Sequence, residues 1–448
     1  MDPFSPMATE FTPELVAPEH SLPEVYASVG ISRSSFYWRR LLGFLGPGFL
    51  ISVGYMDPGN WATDIAGGSR FGYTLLFVIM ASNLMAVLLQ SLSLKLGVAT
   101  ERDLAQLCRE STGRWGGVTL WLMAEVGIAA CDLAEVIGSA IALNLLFHIP
   151  LIWGVLITGL DVLLILLLQR WGFRTVEAIV IALIGTILAL FWIQMVLSRP
   201  EYLPALGALF IPSASIVTNP AMLYIAIGML GATVMPHNLY LHSSIVQSRR
   251  YQRTPEGKRE AIKMANIDSA LALTIALFVN GAILVVAAAV FHRSGHFEVA
   301  AIEDAYKLLS PLVGAGFAST LFAIALLASG QNSSITGTLA GQVVMEGFVH
   351  MRLAPWARRM ITRSLAIIPT IVVVAVYGSQ GTEKLLLLSQ VILSMQLSFA
   401  VVPLVIFTSS RKRMGEFVNA PWLKGLAWSV AVVIAGLNAW LLVQTFMQ

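Results

Sequence analysis

The sequence predicts an all-α polytopic membrane protein, two inverted repeats of five helices with an eleventh helix appended. Three observations predict it. Long apolar runs recur from end to end, basic residues collect in every second break between them, and two runs are interrupted at corresponding places. Hydrophobic residues make up 57% of the 448 and charged residues only 12%, with a mean hydropathy of +0.77. A soluble domain carries about 25% charge. The net charge of +3 is spread over the breaks and forms no basic face with interleaved aromatics, which argues against nucleic-acid binding. Two cysteines, Cys108 and Cys131, supply neither a disulfide framework nor a cysteine metal site.

Taken in order, the chain begins with a polar stretch, residues 1–36, holding Pro3, Pro6, Pro13, Pro18 and Pro23. It lacks the basic-then-apolar pattern of a cleaved signal and is expected to be a disordered cytoplasmic tail. Residues 37–448 are expected to form one transmembrane domain. A spanning helix needs about 20 residues. Eleven segments meet that requirement, at 42–68, 74–97, 116–146, 150–169, 176–197, 220–247, 266–291, 311–341, 361–378, 384–408 and 425–446. The first repeat covers residues 42–197, the second 220–408, and the eleventh helix 425–446. With the N-terminus inside, 23 of the 28 Lys and Arg fall in inside segments and five outside. An extra or missing helix would scramble that alternation, so the count and a C-terminus outside follow from the positive-inside rule.

The first and sixth spans carry the interruptions. Pro58 and Pro236 stand 178 residues apart, each at mid-span, in "GYMDPGNW" and "MPHNLYLH". Asp-Pro-Gly favours a turn over a continuous helix, and Gly228 and Gly231 soften the sixth span ahead of its break. Broken backbone at membrane depth is tolerated only against protein or a cavity. Two such breaks, each in the first helix of a five-helix unit, point to a transporter with its substrate site at the repeat interface. A proline kink alone can be structural. A carboxylate in mid-membrane is costly, by about 2.5 kcal/mol or more, and marks an ion pathway more often than a structural acid.

Asp57 and Asn60, three residues apart, converge on one point. The breaks free backbone carbonyls, those of Gly54 and Ala232, and Met235 adds a thioether beside the second break. Carboxylate, amide oxygen, two carbonyls and sulfur make a cation site. Oxygen alone would suit magnesium or calcium, whereas a thioether suits manganese, iron, cobalt or cadmium. Glu125, Asp132 and Glu135 lie broadly on one face of the third span, and His237 follows Pro236. Such a series leading from a cation site reads as a proton route, with Arg358 or Arg359 at its inner end. A structural ion-pair network is the alternative, and Asp161 and Glu177 are candidates for structural pairing. On the tenth span Gln390 and Gln396 are both open as contributors.

"GPGFLISVGYMDPGNWATDI" from Gly46 and "GATVMPHNLYLHSS" from Gly231 resemble the two signatures of the Nramp family of divalent metal transporters, its bacterial proton-dependent manganese transporters in particular. "CDLAEVIGSAIALNLLF", "ASGQNSSITGTLAGQVVMEGF" and "LSQVILSMQLSFAVVPL" extend the resemblance over nearly all of the chain beyond residue 36. The resemblance implies a LeuT-like fold in a bacterial inner membrane and import of Mn²⁺ and Fe²⁺, with Co²⁺ and Cd²⁺ also accepted, together with H⁺. It implies a metal site of Asp57, Asn60, Met235, Gly54 and Ala232, with Gln390 joining in one conformation. The proton-linked residues it implies are His237, Glu135, Asp132, Glu125, Arg358 and Arg359. Two positions depart from the pattern: Gly54 where alanine is frequent, and Ser398 where many relatives have proline. No cofactor and no covalent chemistry are implied, and a single protomer holds the whole site. Rival readings are an amine or magnesium transporter on the same fold, a channel-like protein, and a membrane metalloenzyme. The last would need a histidine cluster that the sequence lacks.

Overall fold

The computed structural model describes residues 20–31, 36–160, 171–299, 301–349 and 354–447. Seven of its helices are long and apolar enough to cross a membrane, and a shorter apolar helix spans Arg363–Tyr377. Large apolar side chains such as Trp192 (72% exposed) and Phe278 (65%) point outward from the bundle. Lipid accounts for that exposure where water would not.

The first span is two helices, α1 (Pro47–Gly54) and α2 (Pro58–Phe71). Asp57 between them is extended and its carboxylate accepts from the N–H of Asn60, so it is the N-cap of α2, with Pro58 at the first helical position. Asp-Pro therefore starts a helix here as well as ending one. After α3 (Leu76–Thr100), the capping box of Asp103 and Gln106 opens α4 (Leu104–Phe147). Straight, the 44 residues of α4 would run about 66 Å, twice a bilayer core. The chain breaks at Gly113, with φ 71°, so only its later part crosses. Next come α5 (Leu151–Thr158) and α6 (Phe173–Ser198). The remainder of the expected fourth span, Asp161 included, lies outside the described residues.

The second repeat opens the same way. α7 (Pro220–Thr233) stops at Val234, Met235 is extended, and Pro236 starts α8 (Pro236–Ile245). Then come α9 (Pro255–Val290), a short helix Ile302–Val313, α10 (Ala318–Val349), α11 (Pro355–Thr408) and α12 (Pro421–Met447). α11 covers the expected ninth and tenth spans without a helical gap, yet it is sharply bent. A Cβ on Gly381 would lie 2.6 Å from Cγ1 of Val373, where eight residues of straight helix would put about 12 Å between them. Ser398 keeps the later part of α11 helical and accepts from Asn438 Nδ2 (3.2 Å), which fixes α12 against it.

One expectation is corrected. Part of the 1–36 segment is ordered: β1 (Val29–Gly30) pairs with β2 (Arg249–Arg250), and Leu22 and Val25 join the main core. The N–H of Leu22 donates to Glu346 (3.1 Å), and the carbonyl of Ser21 accepts from Ser244 (3.2 Å). Few apolar residues are needed when the partners are already in place, so the segment's own composition did not reveal its order. It crosses the ends of α8 and α10 and marks the N-terminal face of the bundle.

Candidate metal site at the two helix breaks

The two breaks meet. Asp57 has no exposed surface, and its Oδ1 accepts from both the backbone N–H (2.8 Å) and the Nδ2 (2.7 Å) of Asn60. The same Nδ2 donates to the carbonyls of Ala232 (3.0 Å) and Gly54 (3.3 Å). One electropositive amide group thus sits among a carboxylate and the two carbonyls freed by the breaks. Oδ2 of Asp57 has no hydrogen-bond partner. Met235 is equally buried, and its Sδ lies over Gly54, 3.1 Å from where a Cβ would stand. Such a Cβ would also come within 2.3 Å of Asn238 Nδ2, so glycine at 54 is a matter of room.

Neighbouring helices hold the opened backbone. Tyr55 O accepts from Asn280 Nδ2 (2.7 Å), which also approaches Asn60 Oδ1 (3.4 Å). Met56 O accepts from Trp61 Nε1 (3.2 Å) and from Ser329. Gln390 lies directly on the first break: a Cβ on Gly59 would fall 1.8 Å from its Nε2. Gln396 instead faces Gly127 on α4. Gln390 Oε1 has no partner, and its Nε2 donates to Ser389 (2.9 Å).

A second polar region lies between α4, α10 and α11. Glu135 accepts from Ser333 (2.8 Å) and pairs with Arg363 (3.3 Å). Arg363 also lies 4.0 Å from Asp132 and donates to Ser334. His237 is buried close to the second break, with Nδ1 lacking a hydrogen-bond partner. Glu125 lies ten residues before Glu135 along α4, half-buried, and accepts from Trp121 Nε1 (3.0 Å). The side chains of Arg358 and Arg359 lie outside the described residues. The arginine that meets the acids is Arg363, one helical turn beyond Arg359, which depth in the span requires.

The sequence reading missed three further features. Gln90 links Tyr55 Oη (2.8 Å) to Nδ1 of His242 (2.9 Å), tying the first break to α3 and α8. Asn280 was unmarked because a single polar residue on α9 carries no motif. At the base of α1, Asp268 accepts from the N–H groups of Gly46 (3.1 Å) and Gly48 (2.7 Å), while buried Arg249 pairs with Glu177 (2.8 Å). Glu177 is thus in a structural pair, with Arg174 (2.9 Å) as its second partner.

Residues 48–444 match the family described as natural resistance-associated macrophage protein-like, Nramp. The chain is 62% identical over 425 residues, 95% of each chain, to a protein of Listeria innocua named divalent metal cation transporter MntH. It is 61% identical over 428 residues to a protein of the same name from Nostoc, covering 95% of this chain and 96% of that one. A crystal structure of the Eremococcus coleocola manganese transporter superposes with a TM-score of 0.88 at 44% identity, over 94% of this chain and 90% of that one. Mhp1, a nucleobase-cation-symport-1 family transporter, shares the fold with a TM-score of 0.60 at 14% identity, over 84% and 81% of the two chains.

Proposed function

The chain belongs to the Nramp family, and from that premise we propose that it imports divalent transition-metal ions, chiefly Mn²⁺ and Fe²⁺, together with protons, by alternating access. It is a membrane-embedded divalent metal cation transporter and no enzyme. The observation that carries the reading is the position of Asn60 Nδ2, in contact with Asp57 Oδ1, Gly54 O and Ala232 O at 2.7–3.3 Å. An –NH₂ group in a ring of three oxygens occupies the place of a cation, and rotation of the carboxamide would turn Oδ1 inward as a fourth donor. Met235 Sδ supplies the soft donor that favours manganese, iron, cobalt or cadmium over magnesium. Gln390, with a free Oε1 over the first break, is the further donor.

Asp57 is the coupling point, because one carboxylate does not hold a proton and a divalent ion at once. His237, Asp132, Glu135 and Glu125 lead the proton away, with Arg363 as the fixed counter-charge and Arg358 and Arg359 beyond it. Opening toward the N-terminal face requires α1 to leave Asp268 and Arg249, and α8 to leave Ser21 and its neighbours. That face is cytoplasmic in this reading and the C-terminus lies outside, in a bacterial inner membrane. An inward-negative potential then favours uptake by about 2.3 kcal/mol per charge per 100 mV. A monomer suffices, since one chain carries every donor.

The test is uptake into proteoliposomes, Mn²⁺ against Mg²⁺, with a pH dye in the lumen. Strong Mn²⁺ uptake with lumenal acidification is expected. Equal Mg²⁺ uptake, or Mn²⁺ uptake without acidification, would overturn the ion selectivity or the coupling respectively.

A further inference from the structure

Asp64 has no role in the reading above, and its surroundings are unusual. It lies in α2, seven residues beyond Asp57 and on the same helix face, about 10.5 Å along the axis toward the face opposite the N-terminal one. It is 2% exposed and its Oδ2 has no hydrogen-bond partner. Among the described residues no cationic side chain pairs with it. An unpaired carboxylate at such depth carries a desolvation cost that no protein group offsets.

Its direction follows from its neighbours on the same helix. One turn before it, Asn60 meets Asn280 of α9. One turn after it, Gly68 packs so closely on α9 that a Cβ would fall 2.4 Å from Leu284 O and 2.8 Å from Ala287 Cβ. α2 and α9 therefore run parallel and in register, 60 with 280 and 68 with 284–288. Asp64 lies between these contacts, on the α9 face. The α9 residues of this stretch include buried, apolar Ile283, Leu284 and Ala287, and Asn280 is its polar side chain. Asn280 is 2% exposed, and its Oδ1 is also without a partner. Two buried acceptors without partners thus lie on one inter-helix seam, and a positive charge there, an incoming cation or a proton on Asp64, would satisfy both.

We propose that Asp64 and Asn280 Oδ1 form a second cation station between α2 and α9, which a divalent ion occupies on its way to Asp57. The proposal rests on the transport reading above and extends it. Its donors are hard oxygens only, so this station does not discriminate Mn²⁺ from Mg²⁺. Discrimination is left to Met235 at the inner site. Asn280 also holds Tyr55 O and touches Asn60, so it joins the two stations physically.

The experiment is equilibrium binding of radiolabelled Mn²⁺ to the purified full-length protein, with Mg²⁺ as competitor. Asp57→Ala is expected to retain Mn²⁺ binding about 10- to 100-fold weaker than wild type, with Mg²⁺ competing almost equally. Asp57→Ala/Asp64→Asn loses that residual binding by about a further tenfold. In proteoliposomes Asp64→Asn raises KM for Mn²⁺ about tenfold with kcat nearly kept, and Asp64→Glu restores most of it. A merely structural Asp64 would lower folded yield and kcat without that KM shift or rescue. The second station is overturned if Asp57→Ala binds no Mn²⁺, or if Asp64→Asn leaves its residual binding unchanged. Wild-type binding by Asp57→Ala would instead overturn the inner site while leaving Asp64 to be judged by its own variant.

Discussion

Two of the regions that bury carboxylates in this molecule solve the same problem in opposite ways. On α4, Glu135 and Asp132 face Arg363, and Glu135 also accepts from Ser333. At the start of α2, Asp57 meets amide groups and no cation, and Asp64 has no partner for its Oδ2. The first region carries its own counter-charge, Arg363, close to Glu135 and more distant from Asp132, whose oxygens accept no hydrogen bond. The unpaired region has no such counter-charge among the described residues, and under the proposed function a transported cation would supply it. The backbone differs accordingly. α10 and α4 run unbroken past the paired acids, whereas Asp57 stands at a helix break that gives its carbonyls to the same space.

The largest effect is expected where this contrast is removed outright. Asp57→Ala deletes the one formal charge of the inner site and should reduce Mn²⁺ uptake in proteoliposomes to background, about 10³-fold or more below wild type. Uptake above a tenth of wild type would mean that Asp57 is not the binding carboxylate. The paired region should respond in stability instead. Arg363→Ala leaves Glu135 and Asp132 facing each other without a counter-charge, at a cost of about 3–5 kcal/mol. Thermal unfolding in detergent reads that loss, and adding Glu135→Gln should recover part of it. Equal melting temperatures for wild type and Arg363→Ala would place the two regions in one class.

A smaller effect separates hard from soft donors inside the unpaired region. Met235→Ala keeps every oxygen and is expected to cut the preference for Mn²⁺ over Mg²⁺ about tenfold, close to 1.4 kcal/mol. Competition uptake with both ions measures it. An unchanged ratio would show that the thioether lies over Gly54 for packing alone.

These contrasts were unevenly legible in the sequence. The breaks were legible because Asp57-Pro58 and Met235-Pro236 carry backbone instructions: an extended residue, then proline at the first helical position. The residues read as donors at those breaks, Asp57, Asn60, Gly54, Ala232 and Met235, come together there. Gln390 and Gln396 could not be separated, since six residues turn a helix by about 240° and only the packing shows which side meets Gly59. Arg363 carries no motif of its own, and only the packing of α11 on α4 shows that it, one turn beyond Arg359, meets the acids. Asn280 and Gln90 are single polar residues whose meaning depends on which helix lies opposite. The ordered residues 20–31 owe their place to Glu346, Ser244 and Arg249, far away in sequence, so no local pattern announced them.

The smallest effect tests whether burial alone holds an acid neutral outside the spans. Glu303 opens the short helix Ile302–Val313, buried with its Oε1 lacking a partner. Burial pushes its carboxyl up to about 7 from 4.5, against the opposing pull of its own backbone N–H, of Lys307 and of the Thr382 hydroxyl. The folded state therefore holds this proton more firmly than the unfolded chain does. Stability from that difference is fully present below pH 4.5 and is lost as pH rises toward 7. Glu303→Gln stays neutral throughout, so it should flatten that part of the pH dependence by on the order of 1 kcal/mol, about 1–2 °C in a chain of this length. The comparison is between melting temperatures at pH 5 and pH 8, variant against wild type, so that all other titrating groups cancel. Parallel curves would mean that Lys307 and Thr382 compensate the burial of the ionised Glu303. A gap between variant and wild type that opens as pH rises would show that burial at the start of this helix outweighs the pull of Lys307 and Thr382 on the ionised form.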